Sequence, residues 1–90
     1  IDLAARKATH NKSEIKLTRQ EFDLLSYLIE NSGNVLTKKE ILEEIWEILH
    51  PTEEDVNKVE VYIGYLRKKL KPFNLDVYIN TVRGFGYRWN

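Results

Sequence analysis

The sequence predicts a single α+β domain: a small N-terminal antiparallel sheet, three helices and a C-terminal β-hairpin. Three observations carry this. Thr18-Arg-Gln-Glu21 and Thr37-Lys-Lys-Glu40 are capping boxes, each just ahead of an apolar stripe. Val56, Val59, Ile63, Leu66 and Leu70 recur at intervals of 3, 4, 3 and 4, the spacing of one buried helix face. Ile79 to Trp89 reads as two short strands around Arg83-Gly84-Phe85-Gly86.

The elements follow in order. Ile1, Leu3 and Ala5 alternate, as do Ile15 and Leu17 around Lys16, with Asn11-Lys-Ser13 as a turn. Two or three short antiparallel strands are expected there. Phe22, Leu25, Leu28 and Ile29 give the first helix its stripe, and Asn31-Ser-Gly33 stops it. Val35-Leu36 adds a short strand. Ile41, Leu42, Ile45, Ile48 and Leu49 form the second helical stripe, broken by Pro51. Thr52-Glu-Glu-Asp55 opens the third helix, placed at about 55–71. Its acids suit the positive end of the helix dipole, and Lys68, Lys69 and Lys71 the negative end. The face opposite its buried stripe holds Asn57, Val61, Gly64, Tyr65 and Lys68, with Lys58 and Lys69 on one flank and Arg67 on the other. Lys71-Pro-Phe-Asn74 ends it, and Val77 and Ile79 begin the hairpin. A helix, then helix–helix–hairpin, is a winged helix-turn-helix, preceded here by an extra sheet.

Composition narrows the function classes. Ninety residues, 42% of them apolar, make one domain over residues 1–90 with one modest core. The absence of cysteine excludes disulfides and thiolate metal sites and is compatible with a reducing cytoplasm. No apolar run reaches membrane-spanning length, and a cytoplasmic location without membrane contact is expected. His10 and His50 lack a nucleophile pattern or metal spacing, and no Gly-rich phosphate loop is present. Neither an enzyme nor a cofactor or metal site is expected.

Net charge is zero, but it is segregated. Residues 37–55 carry two basic and seven acidic side chains, a net of −5, and residues 56–90 carry seven basic and two acidic, a net of +5. Two different partners explain that better than one. The basic block contains both the third helix and the hairpin, the two elements that could enter adjacent DNA grooves.

Three segments then carry a resemblance. Leu17-Thr-Arg-Gln-Glu-Phe-Asp-Leu-Leu25 runs into Gly33-Asn-Val-Leu-Thr-Lys-Lys-Glu-Ile-Leu42 and Ile45-Trp46. Asn57-Lys-Val-Glu-Val-Tyr-Ile63 runs into Leu66-Arg-Lys-Lys-Leu70, and Ile79-Asn-Thr-Val-Arg-Gly-Phe-Gly-Tyr-Arg-Trp89 completes the set. Together they resemble the C-terminal effector domain of OmpR/PhoB-type response regulators, the output half of bacterial two-component systems. The resemblance implies a four-stranded N-terminal sheet, three helices and a hairpin. It also implies a receiver domain upstream of this chain, and a sensor histidine kinase acting on that receiver in a phosphorelay. The implied function is sequence-specific binding of double-stranded DNA as a transcription regulator, in pairs on repeated half-sites. The sequence departs from the family at Gly64-Tyr65, where basic or polar side chains are common.

Candidate contacts follow from both readings. A helix fits the major groove, where each base pair shows a distinct pattern. Asn57, Lys58, Val61, Tyr65 and Lys68 lie on or beside the outward face, and the resemblance puts Val61, Tyr62 and Tyr65 nearest the bases and Arg67 near phosphate. Arg83 at the hairpin tip suits a narrow A·T-rich minor groove, and Gly84 and Gly86 allow the backbone to turn and approach closely. Thr81 suits a phosphate from the strand end, or plain strand propensity. Trp46 suits core packing; the resemblance implies an indole N–H to phosphate, and both can hold, since Trp presents an apolar body and one donor. Lys38 in the first turn of its helix suits phosphate or plain surface charge. The resemblance makes the acidic 47–55 connection, with Glu53, Glu54 and Asp55, a candidate contact for RNA polymerase; the same acids equally suit a helix N-terminus. The alternative function is a winged-helix protein–protein module acting through that acidic loop, with weak or no DNA binding.

Overall fold

A computed structural model describes all residues 1–90. Its order is β1 (Ala8–His10), β2 (Ser13–Ile15), α1 (Arg19–Glu30), β3 (Leu36–Thr37), α2 (Lys38–Trp46), α3 (Glu53–Leu70), β4 (Ile79–Val82) and β5 (Gly86–Trp89). β1 and β2 form an antiparallel hairpin with Ala8 opposite Ile15. Asn11 and Lys12 at its turn both have positive φ, 51° and 68°, the conformation that two-residue hairpin loops require. The N-terminal strand expected at Ile1 to Ala5 is reduced to one bridge between Asp2 and Thr9. Ala5 and Arg6 both take positive φ, which breaks the extended run. The four-stranded sheet of the resemblance is therefore represented by one hairpin and one bridge.

All three helices start on reciprocal capping boxes. The Thr18, Thr37 and Thr52 hydroxyls accept from the backbone N–H three residues on, and the side chains of Glu21, Glu40 and Asp55 accept from the threonine N–H groups. Such a cap is worth about 1 kcal/mol. Leu24, Leu25 and Leu28 of α1 pack on Ile41 and Leu42 of α2 and on Val59, Ile63, Leu66 and Leu70 of α3 in a single core. Leu24 belongs to that core although it falls outside the stripe read from the sequence, while Phe22 and Ile29 only flank it.

Three boundaries differ from expectation. α2 ends at Trp46 because Glu47 takes the left-handed conformation and caps it, so Ile48 and Leu49 lie outside the helix and Leu49 is exposed. α3 runs from Glu53 to Leu70. Val77 sits in a 3-10 turn over Asp76–Tyr78, exposed, and the hairpin begins at Ile79.

The second sheet has order β3-β5-β4. β5 is thus central, pairing with its hairpin partner β4 and with β3. Because Thr37 pairs with Gly86 and α2 begins at the next residue, the start of α2 is fastened to the hairpin. Side-chain room decides this: a Cβ on Gly86 would lie 1.9 Å from the Leu36 carbonyl oxygen, so only glycine permits the approach.

Candidate nucleic-acid interface

The site is built from α3, the start of α2 and the β4–β5 wing. On α3 the buried stripe is Val59, Ile63, Leu66 and Leu70. The opposite face is exposed along Asn57, Val61, Gly64, Tyr65 and Lys68, as the periodicity requires. Two large apolar groups are therefore held in solvent, Val61 at 48% and Tyr65 at 51% exposure.

Aromatic contacts position this face. Trp46 at the end of α2 meets Tyr62 edge-on with ring centroids 5.0 Å apart, and Tyr62 meets Tyr65 at 5.5 Å. The Lys58 ammonium lies 5.1 Å from the centre of the Trp46 ring, within cation–π range. Trp46 is half-buried, and its indole N–H is enclosed without an acceptor. Both parts of its sequence reading thus bear on one residue: the ring packs, while the donor is covered by its neighbours.

The wing is coupled to α3 through Arg67. Its Nη2 donates to the Ile79 carbonyl and to Thr81 Oγ1, both at 2.9 Å, and its guanidinium stands 5.8 Å from the Tyr87 ring centre. Burial pushes the Tyr87 hydroxyl pKa above its usual value. Arg67 is consequently occupied by the protein itself. Thr81 accepts from it and keeps its own hydroxyl proton free to donate.

At the wing tip the Phe85 N–H donates to the Val82 carbonyl at 3.0 Å, closing a turn with Gly84 at φ +79°. Arg83 is exposed, and Phe85 is 68% exposed. Phe85 was legible as an apolar residue between two glycines at a turn apex, where nothing remains to pack against it. A notch of about 310 Å³ lies below the tip, and its charged walls are Lys38, Glu60 and Arg83. Lys38 Nζ donates to Glu60 Oε1 at 2.7 Å. That hydrogen bond, chiefly, raises the lysine pKa.

Apart from Glu60, the acids of α2 and of the first turn of α3 do not line this notch. Burial first, and then Glu40, Glu44 and Glu43, raise the Tyr27 hydroxyl pKa, so those α2 carboxylates lie toward α1. Glu53 and Glu54 are exposed in the first turn of α3, and Asp55 is engaged in the capping box. One acid is buried: Glu21, 3% exposed, accepts from Lys69 Nζ and from the Thr18 N–H. Burial alone would push its carboxyl pKa up; those hydrogen bonds more than offset it and hold the pKa below 4.5. The structure brings together Lys38, Trp46, Lys58, Tyr62, Tyr65, Arg67, Thr81 and Arg83 around α3 and the wing. Glu53 and Glu54 occupy the first turn of α3, at the opposite end of the helix from Arg67.

Comparisons with known proteins agree with this fold. The family model described as "Transcriptional regulatory protein, C terminal" matches residues 12–89. Response regulator ArlR of Staphylococcus aureus (strain Mu50) is 48% identical over 87 residues, covering 97% of this chain and 39% of ArlR. The chain therefore spans about two fifths of the length of that curated relative. Among solved structures, the DNA-binding domain of response regulator AdeR in complex with an intercistronic region aligns with a TM-score of 0.84 at 26% identity, over 100% of this chain and 90% of that one. The Klebsiella pneumoniae RstA DNA-binding domain in complex with the RstA box aligns at 0.81 and 25% identity, over 99% and 87%. With its winged helix-turn-helix and a family match over nearly its whole length, this chain belongs to the C-terminal effector domains of OmpR/PhoB-type transcriptional regulators.

Proposed function

We propose that the chain binds double-stranded DNA sequence-specifically and regulates transcription, with α3 in the major groove and the wing in the adjacent minor groove. The observation that carries this is the Arg67 bracket, which locks the wing beside α3 with Tyr65, Val61 and Arg83 all outward. Two neighbours of the same fold were solved on DNA.

In this reading Val61 and Tyr65 meet base edges and thymine methyls, and Asn57 and Lys68 reach bases or phosphates. Tyr62 and Lys58 are set by Trp46, whose indole N–H reaches a phosphate only once the groups that enclose it move aside. Thr81 donates its free proton to phosphate, and Lys38 takes another. Arg67 acts mainly by holding the wing, which adds a positioning role to the phosphate contact implied by family resemblance. Arg83 enters the minor groove.

The wider assignments rest on family membership. The domain acts as the output of a response regulator whose receiver is phosphorylated by a sensor histidine kinase. It binds in pairs on half-sites about one helical turn apart, in the cytoplasm, with Glu53, Glu54 and Asp55 offered to RNA polymerase. No helix is long and apolar enough to cross a membrane.

Titration against random and candidate promoter duplexes at several salt concentrations tests the reading. Affinity should fall steeply with salt, by about 0.9 in log–log slope per phosphate neutralised. A flat response, or no binding at low salt, would leave the acidic-loop protein–protein module as the better account.

A further inference from the structure

Glu60 is a carboxylate in an unfavourable place. It lies on α3 among the elements assigned to DNA, in a block whose only other acid is Asp76. At 100° per residue, Glu60, Gly64 and Arg67 follow one another along the flank of α3 that faces the wing. Arg67 is consumed by the Ile79 carbonyl and Thr81. Gly64 presents no side chain, and the space above it is open. That flank of α3 therefore carries one cation, Arg67, tied to the wing through neutral acceptors. The ammonium nearest to it is Lys38, fixed in place because α2 begins directly after the Thr37–Gly86 pair. Glu60 holds this ammonium at 2.7 Å inside the notch that Arg83 also lines. Both partners keep solvent access, at 31% and 52% of their side-chain surface, so the pair can be opened by a competing anion.

We propose that Glu60 is an internal counter-ion for Lys38 that competes with the DNA backbone and weakens non-specific duplex binding. A phosphate that recruits Lys38 must displace the carboxylate and then sits near an unpaired negative charge. Contacts to base edges do not carry this cost, so the brake falls on the phosphate-backbone part of the affinity, and base readout supplies a larger share of what remains. This inference rests on the DNA reading above and adds a residue with a defined role in it.

A double-variant cycle tests it, using fluorescence anisotropy of the 90-residue chain on a random-sequence duplex across a range of salt. Glu60→Gln should tighten binding roughly two- to fivefold at low salt, the scale of an exposed ion pair. It should also steepen the log–log salt slope by about one phosphate. In the Lys38→Gln background the same change should give no gain, because no ammonium remains to release. Equal tightening in both backgrounds would overturn the proposal, leaving Glu60 as a simple repulsive charge. Unchanged affinity in Glu60→Gln, with normal salt-dependent binding by the parent chain, would overturn the brake alone. Absence of salt-dependent binding by the parent chain would overturn the DNA reading and the brake together.

Discussion

Arg67 of α3 and Thr81 of the wing are joined by a 2.9 Å hydrogen bond, and the same guanidinium nitrogen also holds the Ile79 carbonyl. One side chain thus closes the gap between the helix and the hairpin meant for neighbouring grooves. Arg67→Met keeps the aliphatic stem and removes both bonds. It should cost about 1–2 kcal/mol, since hydrogen bonds to charged groups are worth more than neutral ones. Amide exchange should quicken in Ile79–Val82 well before it does in α1. Duplex affinity should fall, and most on sites with A·T-rich flanks, because the wing that carries Arg83 loses its position. Unchanged exchange in β4 would show that the sheet alone holds the wing.

The glycines separate two meanings of the same residue. A Cβ at Gly86 would meet the Leu36 carbonyl oxygen at 1.9 Å, a backbone atom that cannot step aside. Gly86→Ala should cost about 3 kcal/mol or more and detach β3 from β5. Gly64 has nothing within 4 Å of its Cβ position and ordinary helical geometry. Gly64→Ala should stabilise the domain by about 0.5–1 kcal/mol. Urea midpoints of the two variants, moving in opposite directions, check both statements. A stabilised Gly86→Ala would contradict the sheet register.

Glu21 gives the domain an acid-sensitive clasp between α1 and α3. Its folded pKa is depressed below 4.5, against the pull of its own burial, by the Lys69 and Thr18 hydrogen bonds. A depressed carboxyl contributes stability above its unfolded pKa, and that contribution is lost as pH falls through the folded value. Melting temperature should therefore drop in the parent chain below about pH 4.5, the ordinary glutamate value. Glu21→Gln should melt lower at pH 7 and show a smaller acid drop, so that the two curves converge. Parallel curves from pH 7 to pH 3 would show that the pair carries no net stability.

Local chemistry made most of the fold legible. Thr18 and Thr37 start helices through atoms within three residues, and the α3 stripe repeats often enough to define its face. The outward set of Asn57, Val61, Tyr65 and Lys68 follows from that stripe alone. What was not legible depended on partners distant in sequence. Arg67 reads as a phosphate-seeking cation until Thr81, 14 residues on, is seen to accept from it. Lys38 and Glu60 lie 22 residues apart, and the packing of α2 on α3 brings them together. Leu24 and the burial of the capping residue Glu21 lie outside the stripe of Phe22, Leu25, Leu28 and Ile29, because α1 is covered on more than one flank. Glu47 ended α2 through a left-handed backbone that no sequence signal before Pro51 announced.

Arg83 is the last test, because it separates reading from mere attraction. Its guanidinium stands exposed at a tip closed by the Val82–Phe85 turn, with Gly84 adding no side chain beside it. Narrow A·T-rich minor grooves concentrate negative potential and favour an inserted arginine over wider G·C-rich ones. Arg83→Ala should therefore lose about 1–3 kcal/mol on sites with A·T-rich flanks and clearly less where those flanks are G·C-rich. The salt slope should fall by no more than about one phosphate in either case. Phe85, exposed beside it, supplies a control: Phe85→Ser keeps the turn and the cation, and should preserve the A·T preference. Competition between A·T- and G·C-flanked duplexes measures the difference directly. An equal loss on both would make Arg83 a phosphate contact and would place sequence discrimination on α3 alone.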